Sequence, residues 1–186
     1  SLCLFCNHRN NYCQFIFIIF YRKLKMKALY KNYFRNTGID DPIVKVLKNV
    51  PIFEDLSEKE LSEVARLTHE RTYKIDEHIF KKLAPAEGMY VIIHGAVKII
   101  DNDSETVFAS LIDGDFFGEL ALLDEEPRSA SAIATAPAKL IGFFRTDLLT
   151  LMKRDPELGN KILLNLSRVL GERLRKTNEE LLKTDH

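Results

Sequence analysis

With 186 residues, the chain is long enough for one domain with extensions and one buried core. Its 46% hydrophobic and 29% charged content fits a soluble globular protein. The 27 basic and 27 acidic residues cancel, but residues 1–39 hold seven Lys or Arg and no Asp or Glu. The rest therefore carries 20 basic against 27 acidic residues, about −7, a poor electrostatic match for DNA, and direct DNA binding is not expected.

Cys3, Cys6 and Cys13 all fall in the first 13 residues, so no disulfide framework is expected in the domain, which suits a reducing, cytoplasmic setting. With His8 they match no common zinc module. Phe15 to Tyr21 is an apolar run of seven residues, too short for the about 20 that span a bilayer. Arg22, Lys23, Lys25 and Lys27 follow it, the reverse of the order in a secretory signal. We expect residues 1–25 to be a non-native or disordered extension upstream of a start at Met26, dispensable for folding and ligand affinity. A membrane or partner anchor at residues 15–27, or an extra helix packed on the domain, are the alternatives.

Residues 26–46 read as a helical lead-in, with a short helix from Asp41-Pro42 to about Lys48 that enters Pro51-Ile52-Phe53. Ser57-Glu58-Lys59-Glu60 is a capping box, which predicts a helix from Glu58 to Thr68 with Leu61, Val64, Ala65 and Leu67 on its apolar face. From Glu70 the period shortens. Strands are predicted over Arg71–Ile75, His78–Lys82, Met89–His94, Ala96–Asp101, Thr106–Leu111, Ser129–Thr135 and Lys139–Phe144, punctuated by Gly95, Gly114 and Pro137. This spacing argues for a sandwich or barrel-like roll. A short helix over Asp147 to Lys153 follows, and Pro156 opens a long one. Its Leu163, Leu166, Leu170, Leu174, Thr177 and Leu181 form one stripe with a polar break at Thr177. The stripe packs on its own roll or forms a dimer seam, and we expect the dimer.

The informative interruption lies between Phe116 and Arg128. Phe117-Gly118-Glu119-Leu120-Ala121-Leu122 leads through an acidic stretch to Pro127-Arg128-Ser129-Ala130. A short helical turn, Leu120 to Leu123, offers free N–H groups to a phosphate, and Gly118 lets the backbone come close. Arg128, the only cation in the run, can close the other side of a phosphate with a two-pronged contact. Glu119 cannot hold phosphate but can accept a hydrogen bond from a ribose hydroxyl. One anion seat beside one hydroxyl acceptor describes a site for a sugar phosphate or nucleotide.

This run resembles the phosphate-binding cassette of the cyclic-nucleotide-binding domain family. The wider resemblance covers about residues 47 to 183, including Pro51-Ile52-Phe53, Tyr90-Val91-Ile92-Ile93-His94-Gly95 and the helix after Asp155-Pro156. It implies an α+β fold: an antiparallel β-roll, a jelly-roll-like double sheet, over 47–155, with N-terminal helices before it and a long C-terminal helix over 156–186. It also implies that the ligand is cAMP, with cGMP the alternative, contacted by Phe117, Gly118, Glu119, Leu120, Ala121, Arg128, Ser129 and Ala130. Glu119 would take the ribose 2′-OH and Arg128 the cyclic phosphate. Thr177 and Asn178 would meet the purine across a homodimer formed by the long helix. Asp76 and Leu83 stand where turn glycines are usual in the family, which puts local turn geometry in question rather than the pocket.

No helix-turn-helix segment is expected after the long helix. No nucleophile–base set or metal cluster stands out, and His69, His78 and His94 read as ordinary surface or strand residues. An enzyme acting on nucleotides, such as a phosphodiesterase, would need metal ligands that the sequence does not group. We therefore expect no catalysis, cofactor or metal. The leading expectation is a cyclic-nucleotide sensor whose ligand repositions the C-terminal helix toward an unknown downstream protein. A scaffold of the same fold that binds no nucleotide is the alternative.

Overall fold

The computed structural model describes residues 41–104 and 106–184, which lie in one unit, Asn36–His186. The expectations for residues 1–25 and for most of the lead-in fall outside the described residues, as do all three cysteines. The fold is α+β: two four-stranded antiparallel sheets form a roll, flanked by helices.

Helix α1 (Pro42–Leu47) starts with proline at its first position, and the Asp41 side chain accepts from the Ile43 amide at 2.8 Å. A 3-10 turn, Pro51–Phe53, leads to helix α2 (Glu58–Leu67), which starts at the capping box. Glu60 Oε2 accepts from the Ser57 amide at 2.7 Å, and Ser57 Oγ accepts from the Glu60 amide at 3.4 Å. The helix stops one residue before expectation, because Thr68 is extended and its hydroxyl donates to the Ala65 carbonyl at 2.8 Å.

The eight strands are β1 (His69–Tyr73), β2 (His78–Phe80), β3 (Gly88–His94), β4 (Val97–Asp101), β5 (Thr106–Leu111), β6 (Phe116–Phe117), β7 (Ser131–Ala134) and β8 (Ala138–Phe144). The seven predicted strands are present with ends shifted by up to two residues. The two-residue β6 was not predicted, since two aromatics inside a loop carry no period. The sheets run β1-β8-β3-β6 and β2-β7-β4-β5. Helices α3 (Arg145–Arg154) and α4 (Pro156–Thr184) close the chain.

Within the first sheet the central strands β3 and β8 are largely buried on both faces, so β3 reads as a nearly continuous apolar run, while the edge strand β1 is mostly exposed. Met89, Val91, Ile141 and Phe143 face the helices, where they pack with Phe53, Leu61, Leu148, Leu158, Ile162 and Leu166. Their neighbours Ile92 and Leu140 face the inside of the roll with Tyr73, Val97, Phe117 and Ala132. The helical stripe divides: Leu166 is buried, Leu163 and Leu170 are partly buried, and Leu174 and Leu181 are exposed. Its first half packs on the chain's own body and its second half is uncovered.

Asp76 and Leu83 take the left-handed backbone of the glycines they replace, with φ of 62° and 66°. The turn geometry is thus kept at a conformational cost of about 1–2 kcal/mol for an L-residue, less for Asp. Leu83 is 75% exposed and contributes little packing. Leu83→Gly is expected to raise stability by about 1 kcal/mol, a gain of several degrees in thermal denaturation, with a smaller effect for Asp76→Gly. An unchanged or lower melting temperature for Leu83→Gly would refute the strain.

Candidate functional site

Strand β6 runs into Gly118, whose φ of 75° is left-handed, and a 3-10 turn over Glu119–Leu122 follows. The turn begins one residue earlier than predicted and is tighter than an α-helix, with the Ala121 amide donating to the Gly118 carbonyl at 3.2 Å. Glycine is required at 118 twice over. The backbone is left-handed, and a Cβ there would stand 2.7 Å from Arg128 Nη1.

Arg128 is 7% exposed. Its backbone is clamped to the turn before it: the Arg128 amide donates to the Ala84 carbonyl at 2.9 Å, and the Leu83 amide donates to the Arg128 carbonyl at 2.8 Å. The strained Leu83 turn therefore positions the arginine. In the side chain, Nη2 donates to the Gly88 carbonyl at 2.6 Å and Nη1 to the Gly118 carbonyl at 3.2 Å. The guanidinium carbon lies 4.1 Å from the Phe80 ring centroid and 5.9 Å from that of Tyr90. Nε is buried without a partner. Burial pushes the guanidinium below its usual range, although arginine stays protonated in proteins. Among the described residues no carboxylate forms an ion pair with it.

Glu119 is equally buried, at 5% exposure. Its Oε1 accepts from Arg173 Nη1 at 2.6 Å, and its Oε2 has no partner. Arg173 comes from α4, stacks 4.7 Å from the Phe116 ring centroid and donates to the Phe116 carbonyl at 3.3 Å. It was missed at the sequence level. The available signal was its position one helical turn before Thr177, on the same face.

These groups line one cavity of about 430 Å³, within the range of small-molecule sites. Phe117, Gly118, Glu119, Leu120, Ala121, Arg128, Ser129 and Ala130 all lie on its wall, with Arg173 beside them. Phe80, Ile99, Ala109 and Leu111 supply an apolar face from the second sheet. Asp124 and Glu126 stand at the acidic part of the wall. Thr177 and Asn178 do not line the cavity. Both are exposed on α4, and the Thr177 hydroxyl donates to the Arg173 carbonyl at 2.9 Å within the helix. Among the described residues no group of three or more His, Cys, Asp or Glu is placed to hold a metal ion.

The family model described as the cyclic nucleotide-binding domain matches residues 70–155, which span the roll and its cassette. Residues 70–155 form a domain of the cyclic nucleotide-binding family. A cyclic AMP receptor protein of Thermus thermophilus is 33% identical over 138 residues, 73% of this chain and 62% of that protein. A cAMP-dependent protein kinase regulatory subunit of Aspergillus fumigatus is 34% identical over 94 residues, 50% of this chain and 23% of that protein. The chain thus spans less than two thirds of either relative. Among solved structures, a cyclic nucleotide-binding domain from Methylobacillus flagellatus superposes with a TM-score of 0.66 at 26% identity, covering 77% of this chain and 82% of that one.

In this cyclic nucleotide-binding domain the Gly118 backbone and the Arg128 side chain are one unit. Gly118→Ala is expected to cost about 1–3 kcal/mol through left-handed strain and displacement of Nη1. Thermal denaturation checks it. A melting temperature equal to wild type would show that the Gly118–Arg128 contact is loose.

Proposed function

We propose that the chain is a cyclic-nucleotide sensor that binds cAMP in the cassette cavity and signals through α4. The observation that carries this reading is a buried cation without an acid partner beside a buried carboxylate with an open oxygen, both on one cavity. An isolated buried charge is costly unless an anion completes it. Arg128 takes the cyclic phosphate, with Ser129 and Ala130 beside it. Glu119 takes the ribose 2′-OH, and the apolar face of Ile99, Ala109 and Leu111 takes the purine. The names of the Thermus and Aspergillus relatives favour cAMP over cGMP.

Arg173 gives the signal a route. It joins α4 to the carboxylate assigned to the ribose, so a ligand that engages Glu119 alters what holds the helix. A homodimer through the exposed Leu174, Leu181 and Leu182 completes the site by bringing Thr177 and Asn178 of a second copy toward the purine. The cysteine-bearing segment and the unknown downstream protein have no assigned part in it. Among the described residues no helix is long and apolar enough to cross a membrane.

Calorimetric titration with cAMP and cGMP tests the binding. Arg128→Ala is expected to weaken cAMP by more than about tenfold, since it leaves the phosphate without its charge partner. Glu119→Gln costs less, because the amide still accepts a hydrogen bond. Tighter cGMP binding overturns the ligand choice, and near wild-type affinity in a folded Arg128→Ala overturns the site. No binding of either nucleotide by wild type favours the scaffold alternative.

A separate measurement addresses the route. Arg173→Ala is expected to keep cAMP affinity within about tenfold of wild type while reducing the nucleotide-dependent change in amide exchange over residues 171–184. An undiminished change in exchange would place the coupling elsewhere.

A further inference from the structure

We propose that Phe80 is a positioning residue of this site, its ring setting the plane of the Arg128 guanidinium and thereby which phosphate oxygens the arginine meets. The proposal rests on the reading of Arg128 as the phosphate seat. Its geometry is independent of that reading. The two carbonyls at Gly88 and Gly118 hold the two terminal nitrogens, while Nε at the third corner has no hydrogen-bond partner, so tilt about the line between the carbonyls is limited only by the side-chain tether and by what packs on the face of the plane. A flat surface against the plane removes that freedom, and Phe80 supplies one at 4.1 Å.

Phe80 is itself fixed. The register of β2 against β7 shifts between His78 and Phe80, so the consecutive Ile79 and Phe80 both pack toward the inside of the roll. The ring then sits 5.8 Å from the Phe117 centroid and 6.0 Å from that of Tyr90, and those two stack on each other at 5.6 Å. A bulge that disturbs the ladder thus delivers one aromatic face to one cation. Leucine or methionine at 80 keeps the apolar volume but offers neither a plane nor a negative face. Tyrosine offers both.

The test uses the full chain as wild type, Phe80→Leu, Phe80→Met and Phe80→Tyr, with melting temperature measured on each. Without ligand, the Arg128 Nε–Hε signal in nitrogen-15 spectra, assigned by its loss in Arg128→Lys, reports the guanidinium. Wild type and Phe80→Tyr are expected to show it shifted by the ring and slow to exchange. Leucine or methionine should release both effects. With ligand, cAMP and its two phosphorothioate diastereomers, in which sulfur replaces one or the other exocyclic oxygen, are titrated. Loss of the ring is expected to weaken cAMP about tenfold and to change the ratio between the diastereomers, with tyrosine restoring both. An Arg128 signal unmoved in the folded leucine or methionine variant overturns the proposal. So does a loss of affinity by one common factor for both diastereomers, which is what a purely structural role gives. If wild type binds no cyclic nucleotide, the phosphate reading fails by itself, and the ligand-free Arg128 signal still decides whether Phe80 sets the plane.

Discussion

A guanidinium buried without an acid partner is the constraint around which the cassette is built. Arg128 keeps its charge at any ordinary pH, so its surroundings must supply acceptors. Two backbone carbonyls and two aromatic faces do so. Each acceptor fixes something else. The Gly118 carbonyl is presented by a left-handed turn that has no room for a Cβ. The Gly88 carbonyl belongs to a residue whose Cβ would lie 2.4 Å from the Phe143 carbonyl, so β3 must approach β8 without a side chain at that point. The clamp at Leu83 and Ala84 holds the arginine backbone, and a leucine accepts a left-handed conformation to form it. Three separate features converge on one side chain: two glycines that admit no Cβ and one leucine held in a left-handed conformation.

Glu119 and Arg128 lie on the same wall, yet they do not neutralise each other. Arg173 explains the separation. By taking Oε1 of Glu119, it gives a buried carboxylate a charge partner from outside the roll, while Oε2 and the cassette cation keep no ionic partner among the described residues. The electrostatic balance of the cavity therefore includes a residue of α4, 54 positions along the chain from Glu119. Whatever changes the partners of Glu119 acts on α4, and whatever moves α4 acts on Glu119. Such linkage is reciprocal in free energy.

Local chemistry was legible in the sequence and long-range pairing was not. The capping box at Ser57 and Glu60 predicts its helix because both partners lie within one turn. The short apolar runs of β3 and β8, and the glycine and proline punctuation, place most of the roll. The cassette's own residues were readable because Gly118, Glu119 and Arg128 each carry a distinct chemical capability at short spacing. Arg173 carries no such mark. A basic residue on an amphipathic helix is ordinarily a solvated one, and only the docking of α4 brings it to Glu119. The same holds for Phe80, which on a regular strand would point away from Ile79 and which only the shift in register turns inward with it. The stripe on α4 was visible, but its division into a packed and an open half depends on how far the small roll extends beneath it.

That division bounds what the proposed signalling through α4 can draw on. Up to Leu170, α4 is anchored by buried apolar contacts, by Lys161 to Glu60 at 2.8 Å and by Asn165 to the Glu54 carbonyl at 2.7 Å. Beyond it, Leu174, Leu181 and Leu182 are exposed, and Arg173 reaches back to the roll at the border between the halves. An ion pair with one buried and one half-exposed partner contributes about 1–2 kcal/mol after solvent screening. That amounts to a factor of about 5–30 in an equilibrium. Driving a two-state element from almost wholly one form to almost wholly the other takes about 5.5 kcal/mol. The Arg173 contact alone is therefore too weak to throw a complete switch. Burial of a leucine contributes about 1.5–3 kcal/mol, so covering two or three of the open leucines makes up the difference. In the proposed switch the ion pair would set the bias, and the uncovered half of the helix would supply the larger part of the free energy.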